Sequence, residues 1–570
     1  MAKKDYDNWS KTELVKEIKK LEKRKKYGIV WEDKPERVAT LCKEKLPILE
    51  EDIKKEIKTD DKKPVNILIE GDNYHALSVL NYTHKGKVDV IYIDPPYNTG
   101  NKDFVYNDRF VDGEDSFRHS KWLSFMEKRL KLAKNLLKYS GVIFISIDDN
   151  EFANLKLLCD DIFGIDKFIS VFVWKRRSGA NDPKNLVSTD HEYILCYKKS
   201  DRATLKGIKK DLSNYKNPDN DPRGPWTSGD LTCGKTKDER PNLFYDILDP
   251  ITKKIYKANQ NRVWRFEQKR MLNEIKEGKV LFPKKENGMP QYKRFAKDLR
   301  SNFKPLSTWI EASIISAKDI SSDEEEHDIR IMQSDLNQSA TKELRELMGK
   351  QIFNYPKPKK LIKELVKHSA DDKSIILDFM AGSGTTGHAV LELNKEDKGN
   401  RKFILCTNNE SNNGNGHKIA TDICYPRVKK VIDNIEKESK GKLVSNRPGG
   451  LKYFKTDFID AEPTDKNKRK MVAKSTEMLC LKEECFEEVK KGTDFKIFKN
   501  SQDKHLGIIY DDDGIEPFKK EVKKLNKQFV VYVFSLDESA REEEFEDMNG
   551  NVELRPIPAV ILNVYKRIFK

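Results

Sequence analysis

Between residues 65 and 150 the chain alternates short apolar runs with longer amphipathic ones. VNILIEGD (65–72), VDVIYID (88–94) and GVIFISID (141–148) are nearly continuous apolar stretches ending in acids. Runs of this kind read as strands buried on both faces. SFRHSKWLSFMEKRLKLAKNLL (116–137) and EFANLKLLCDDIFG (151–164) carry apolar residues at helical spacing, the second closed by Gly164. The rhythm breaks near 175 and returns after 330. NYPKPKKLIKELVKH (354–368) predicts a helix opened by Pro358, SIILDFMAGSGTTGHAVLELN (374–394) a strand, glycine-rich turn and helix, and RKFILCTNNE (401–410) a further strand. The pattern predicts an α/β fold: a doubly wound, mostly parallel sheet with helices on both faces. A large insertion interrupts it, and a small α+β domain closes the chain, with strands at FKIFKN, HLGIIYD and FVVYVFSL. The expected boundaries are 1–64 (a basic helical arm), 65–174 and 331–455 (the two halves of the core), 175–330 (the insertion) and 456–570, of which 456–475 reads as a charged linker.

Composition narrows the partners. The chain has 570 residues, with 109 Lys+Arg against 94 Asp+Glu, a net charge of +15. That excess favours a polyanionic partner. No apolar run approaches the roughly 18–20 residues needed to cross a membrane, and MAKKDYDNWSKTEL lacks the apolar centre of a signal peptide. The expectation is a cytoplasmic protein with no membrane partner. The eight cysteines lack metal-ligand spacing and the histidines are scattered, so no metal is expected.

Two stretches carry chemistry. In DFMAGSGTTGH (378–388), Gly382, Gly384 and Gly387 follow a predicted strand and open a helix. Glycines there allow a tight turn and close ligand approach, and the helix start offers free N–H groups. Such a turn fits NAD, FAD or S-adenosylmethionine alike. IYIDPPYN (91–98) discriminates. Asp94 ends a strand, and ligands in doubly wound sheets bind beyond the carboxyl ends of the strands. Pro95 and Pro96 fix the backbone and bias it to extended geometry, leaving carbonyls pointing outward. A carboxylate beside a rigid carbonyl is the acceptor pair that an exocyclic amino group requires, and Tyr97 provides a ring for a planar base.

Together these motifs resemble the amino-methyltransferases of DNA, which act on N6 of adenine or N4 of cytosine. Their order, with the catalytic motif first, then an insertion, then the cofactor motif, is similar to the β group and to the modification subunits of type III restriction–modification systems. IEGDNYHAL, VIFISIDDNEFANLK, QSATKELRELMG and NYPKPKKLIKEL extend the resemblance over roughly 11–430. It implies the S-adenosylmethionine-dependent methyltransferase fold and that cofactor. By the resemblance, Asp94 and the Pro95 carbonyl accept the amino hydrogens, with Pro96 and Tyr97 completing the catalytic motif and Tyr97 stacking on a flipped base. Asp378, Phe379, Ala381, Gly382, Gly384 and Thr385 line the cofactor. Glu410 takes its ribose, Asp72 its adenine amino group, and Phe353 and Lys357 border its pocket. The loop 408–417 is rich in Asn and Gly, so a neighbouring Asn competes with Glu410. DPPY favours adenine over cytosine. A homodimer on double-stranded DNA is implied, with a restriction subunit as a further partner.

The insertion is the expected sequence reader. Lys257, Arg262, Arg265, Lys269, Arg270, Lys284, Lys285, Lys293, Arg294 and Arg300 alternate with Trp264, Phe266, Tyr292 and Phe295. Lys and Arg neutralise phosphates, and Arg pairs with guanine. The competing readings are an NAD-dependent oxidoreductase, which leaves DPPY unexplained, an N4-cytosine or stand-alone type II enzyme, an RNA methyltransferase, and a non-catalytic recognition subunit.

Overall fold

The computed structural model describes residues 9–22, 28–59, 63–101, 103–179, 186–285, 288–299, 301–312, 331–410, 416–439, 448–462, 464–536, 539–548 and 550–569. The apolar runs pair into one eleven-stranded sheet. In spatial order its strands are Lys45–Glu51, Leu451–Asp460, Asn66–Glu70, Lys402–Thr407, Ile375–Asp378, Val88–Ile93, Leu137–Ile147, His191–Lys198, Phe168–Lys175, Trp309–Ala312 and Met332–Ser334. The run from Leu451–Asp460 to Leu137–Ile147 is parallel throughout. His191–Lys198 is antiparallel to both of its neighbours, and Lys45–Glu51 closes the other edge antiparallel. The central strands are buried along almost their whole length, which is why their sequences are apolar without alternation. Helices Asn73–Thr83, Arg118–Leu136 and Phe152–Phe163 pack in succession, and Lys359–Ser369, Thr385–Asp397 and Tyr425–Ser439 form a second packed group.

Three expectations shift. The residues divide into two compact units, Lys206–Leu306 and the remainder. The separate unit is narrower than 175–330 because His191–Lys198, Trp309–Ala312 and Met332–Ser334 hydrogen-bond into the main sheet. Residues 313–330 lie outside the described set, as do 23–27 of the basic arm, whose helix is Lys11–Glu22. The 456–475 stretch is not a linker. Leu451–Asp460 is a strand held between Asn66–Glu70 and Lys45–Glu51, with Phe454 and Ile459 buried, and Asp465–Ala473 is a helix. Pro47 is tolerated in Lys45–Glu51 because that strand is the sheet edge.

The closing segment forms a five-stranded sheet in the order Glu487–Lys491, Phe495–Lys499, His505–Ile509, Phe529–Phe534, Val552–Ile557. It is not detached. Leu506, Tyr532, Ile557 and Tyr565 share one apolar cluster with Leu77 and Leu80, and the Tyr565 hydroxyl donates to the Pro47 carbonyl at 2.6 Å. Inside Lys206–Leu306, Leu231, Ile247, Tyr256, Trp264, Phe266, Met271 and Val280 make a core of their own.

Candidate active site

Asp94 directly follows the Val88–Ile93 strand, and Asp378 ends the adjacent strand, with Leu377 opposite Ile91. The two motifs, far apart in sequence, therefore emerge side by side. Extending outward, Glu410 follows Lys402–Thr407 and Asp72 follows Asn66–Glu70. Four consecutive parallel strands thus deliver four carboxylates to one sheet edge.

The Asp94 loop is held from both sides. The Trp122 indole Nε1 donates to the Pro96 carbonyl at 2.7 Å. Asn98, fully buried at φ +57°, donates through Nδ2 to Glu151 Oε1 at 2.5 Å. Asn tolerates this left-handed backbone better than most residues. Glu151 also accepts from Asn154 Nδ2 at 2.7 Å and lies 2.7 Å from His119 Nδ1. The loop is consequently fixed before any ligand arrives.

Tyr97 turns its hydroxyl inward, 3.0 Å from Asp94 Oδ1 and 3.1 Å from Glu192 Oε2. Lys357 Nζ reaches all three: 2.7 Å to the Tyr97 hydroxyl, 2.8 Å to Glu192 Oε2 and 3.2 Å to Asp94 Oδ1. Arg176 Nη1 holds the other Glu192 oxygen at 3.1 Å. Burial pushes the Asp94 carboxyl above its usual range, more than the Lys357 ammonium pulls it down. Glu192 is buried too, but Lys357 and then Arg176 outweigh that and hold it below the usual range. Burial alone would lower the Lys357 ammonium; Asp94 and Glu192 reverse the sign and raise it. Lys357, expected at the cofactor's border, is thus tied to Asp94.

On the neighbouring turn, Met380 N donates to Asp378 Oδ1 at 3.0 Å and the Thr386 hydroxyl to Oδ2 at 2.5 Å. Burial nevertheless pushes Asp378 up to about 7. Gly382 has φ +49°, and a Cβ there would lie 3.4 Å from the Phe353 ring, so Phe353 overhangs the turn. Gly384 has φ +80°, and a Cβ would come 2.9 Å from Cys424 Sγ; only glycine fits. Ala381 N is tied to the Cys406 carbonyl at 3.1 Å. Phe379 is wholly buried in the core, so only its backbone faces outward. Thr385 is buried, and its hydroxyl accepts from Arg427 Nη1 at 2.7 Å, which commits it to the fold. Asp72 caps Asn73–Thr83 by accepting from Tyr74 N at 2.7 Å, and the buried Arg129 lies 3.3 Å from its Oδ2. Glu410 is exposed. Asn409 is committed, donating to Glu70 at 2.9 Å and accepting from Thr421 N at 3.1 Å, while 411–415 lie outside the described residues.

The basic residues of Lys206–Leu306 separate into two kinds. Lys257, Arg262, Arg265, Lys269, Arg270, Lys284, Lys285 and Arg294 are exposed, with Arg262 also paired to Asp230 and Arg270 to Glu274. Lys293 is buried between Asp219 and Asp221, the latter at 3.0 Å, and Arg300 is not among the described residues. Trp264, Phe266 and Phe295 are buried, so the interleaved aromatics serve the core rather than a stacking surface. In the strand Gln291–Phe295 the buried positions are Lys293 and Phe295, whereas Arg294 is exposed.

Among the described residues no cluster could hold a metal ion, and no helix is long and apolar enough to cross a membrane. A cavity of about 480 Å³ opens at the opposite, amino edge of the sheet, between Lys63, Lys402 and Lys499; no predicted site residue lines it. Sequence reasoning missed Glu192, Arg176, Trp122 and Arg427. A lone acid in the apolar strand HEYILCYK was the available signal for Glu192, since such a residue needs a buried partner.

The profile of the DNA methylase family that modifies N6 or N4 amino groups matches residues 88–413, more than half of the chain. The chain belongs to this family. The StyLTI Mod subunit of a type III restriction-modification enzyme from Salmonella typhimurium is 32% identical over 71% of this chain and 62% of its own length. The EcoP15I Mod subunit from Escherichia coli is 32% identical over 63% of this chain and 60% of its own. The type II methyltransferase M.KpnI from Klebsiella pneumoniae is 33% identical over 68% of this methylase and 90% of itself. The match spans about three fifths of the type III Mod subunits.

Proposed function

We propose that this methylase transfers the methyl group of S-adenosylmethionine to N6 of an adenine flipped out of duplex DNA, as the modification subunit of a type III system. The observation that carries this is the emergence of the Asp94–Pro95–Pro96–Tyr97 loop and the Gly382–Gly384 turn from adjacent strands at one acidic edge.

The residues present fit the cofactor. Its sulfonium, amino groups and ribose hydroxyls are cationic or donating, and Asp72, Glu410 and Asp378 are acceptors on consecutive strands. A pyrophosphate would meet the same carboxylates, which speaks against the NAD reading. When bound, S-adenosylmethionine supplies a methyl group already activated on sulfur.

The remaining work belongs to the chain and is mainly positional. Asp94 and the Pro95 carbonyl accept the two amino hydrogens and aim the nitrogen lone pair. The buttressed loop holds that acceptor pair still, and the half-buried Tyr97 ring flanks the base. Extracting the base costs about a few kcal/mol, partly offset by stacking of about 1–3 kcal/mol. The Lys206–Leu306 unit reads the target with its exposed Arg and Lys. The closing α+β segment docks a restriction partner, and the chain works as a homodimer in the cytoplasm.

The coverage of M.KpnI, 90% against 62% for the StyLTI subunit, favours a second reading as a stand-alone type II enzyme. The test is to incubate the protein with labelled S-adenosylmethionine and unmodified plasmid DNA, then digest to nucleosides. Label in N6-methyl-2′-deoxyadenosine is expected. Label in N4-methyl-2′-deoxycytidine moves the target to cytosine, and no label in DNA ends the proposal.

A further inference from the structure

We propose that Glu192 is a positioning residue: it holds the Lys357 ammonium to one side so that Asp94 can give its carboxylate to the amino group of the incoming base. The inference rests on the methyltransferase reading above and deepens it.

The geometry raises the problem first. Asp94 Oδ1 already has two donors, the Tyr97 hydroxyl at 3.0 Å and Lys357 Nζ at 3.2 Å. A carboxylate oxygen offers about two lone-pair sites, so a substrate N–H on that oxygen must displace one of them. Tyr97 is rooted in the rigid loop two residues past Pro95, which leaves Lys357 as the donor that yields.

Lys357 has somewhere to go. It is nearer to Glu192 Oε2, at 2.8 Å, than to Asp94. Its backbone is fixed between Pro356 and Pro358, all three positions being buried, so a small swing of the side chain suffices. Glu192 does not follow it. Glu192 sits in the His191–Lys198 strand opposite Trp174, only 3% exposed, and Arg176 pins its Oε1 at 3.1 Å. One oxygen is therefore anchored and the other is left for the lysine. The two acids that share the ammonium are shifted in opposite directions as well: burial lifts Asp94, whereas Lys357 and then Arg176 hold Glu192 below its usual range against its own burial. Other groups that feel these carboxylates are Tyr92 on the strand that leads to Asp94, Asp378 at the end of the adjacent strand and Asp148 after Leu137–Ile147; burial raises each of the three. None of them provides a second cation, and an ammonium deprived of Glu192 would fall back onto Asp94.

The experiment uses the full chain, labelled S-adenosylmethionine and unmodified plasmid DNA. In Glu192→Gln, cofactor and duplex dissociation constants are expected to stay within about twofold. The kcat is expected to fall at least tenfold, and the acid limb of its pH profile to move to lower pH. That direction follows because a nearby negative charge is lost and Lys357 becomes the sole property of Asp94. Glu192→Asp, which keeps the charge, is expected to recover much of the rate and restore the limb; it also serves if the amide variant misfolds. An equal kcat in Glu192→Gln overturns the inference alone, and so does a loss with an unmoved acid limb, which marks a structural role. A wild-type protein that transfers no methyl group to DNA overturns the methyltransferase reading and this inference with it.

Discussion

Lys293 and Lys357 are each buried between a pair of carboxylates, and their surroundings make them opposites. Lys293, in the Lys206–Leu306 unit, lies between Asp219 and Asp221. Its own hydrogen bond lowers Asp219, and that of Arg223 lowers Asp221, so both acids are held ionised. Lys357, at the sheet edge, lies between one acid held down and one pushed up. A symmetric clamp closes a fold, whereas an unequal one can release a partner. Burial of a charged residue is thus no signature of function by itself; the imbalance between its partners is.

The largest expected break in this comparison is at the raised acid. Asp94→Ala removes the acceptor and is expected to lower kcat by about 10³-fold. Duplex and cofactor binding should persist, since the fold loses only a carboxylate whose burial opposes its charge. Methyl incorporation measured beside filter binding separates the two. Activity within tenfold of wild type would remove Asp94 from the reaction.

Replacing each lysine by methionine comes next. Lys293→Met removes the cation that Asp219 and Asp221 share, leaves Asp221 with Arg223 alone, and is expected to lower the stability of the Lys206–Leu306 unit. Limited proteolysis should then cut within 206–306 while the main sheet stays resistant. Lys357→Met, outside that unit, is expected to leave the proteolysis pattern within 206–306 unchanged. It should move the acid limb of kcat to higher pH, because the cation that opposed the burial of Asp94 is gone. Exchanged phenotypes would refute the distinction drawn between the two sites.

How much of this was legible in the sequence follows from distance along the chain. Both turns announced themselves, because proline and glycine act on their own backbone: Asp94–Pro95–Pro96 and Gly382–Gly384 needed no partner to be recognised. The groups that hold those turns did not. Trp122, Asn98–Glu151 and Arg427 act across elements, and nothing local marks Trp122 as the donor to Pro96. The apolar strands were readable for the same reason that the linker at 456–475 was misread. Leu451–Asp460 is interrupted by the polar run Lys455–Asp457, and its partner Lys45–Glu51 contains a proline; pairing, not propensity, makes both strands. In the insertion, aromatic spacing that suits a nucleic-acid face suits a small core equally well, and burial decides for the core.

Asp378 extends the comparison to a buried carboxylate with no lysine at all. Burial raises it to about 7, despite donors from Thr386 and Met380 N. Its unfolded value lies near 3.9. The folded form therefore binds the extra proton between about pH 4 and 7, and stability falls as pH rises through that window. The cofactor-free protein should lose about 1–3 kcal/mol relative to Asp378→Asn between pH 5 and 8. Thermal melts of the pair across pH give the difference, and parallel curves would show Asp378 ionised throughout.

The smallest effect tests the exposed side of the same unit that buries Lys293. Arg265 and Lys269 are exposed on Lys206–Leu306, in contrast to Lys293. If exposure divides phosphate contacts from clamps, Arg265→Ala and Lys269→Ala should each weaken duplex binding by about 1 kcal/mol and reduce the slope of log K against log salt by about 1. Neither should alter proteolysis. Lys293→Met should behave in the reverse sense, changing the unit's stability first and affinity only through it. A salt titration of binding for the three variants decides the matter. If Lys293→Met lowers the slope while the unit stays folded, its ammonium reaches the backbone of DNA and the two buried lysines are more alike than their carboxylates suggest.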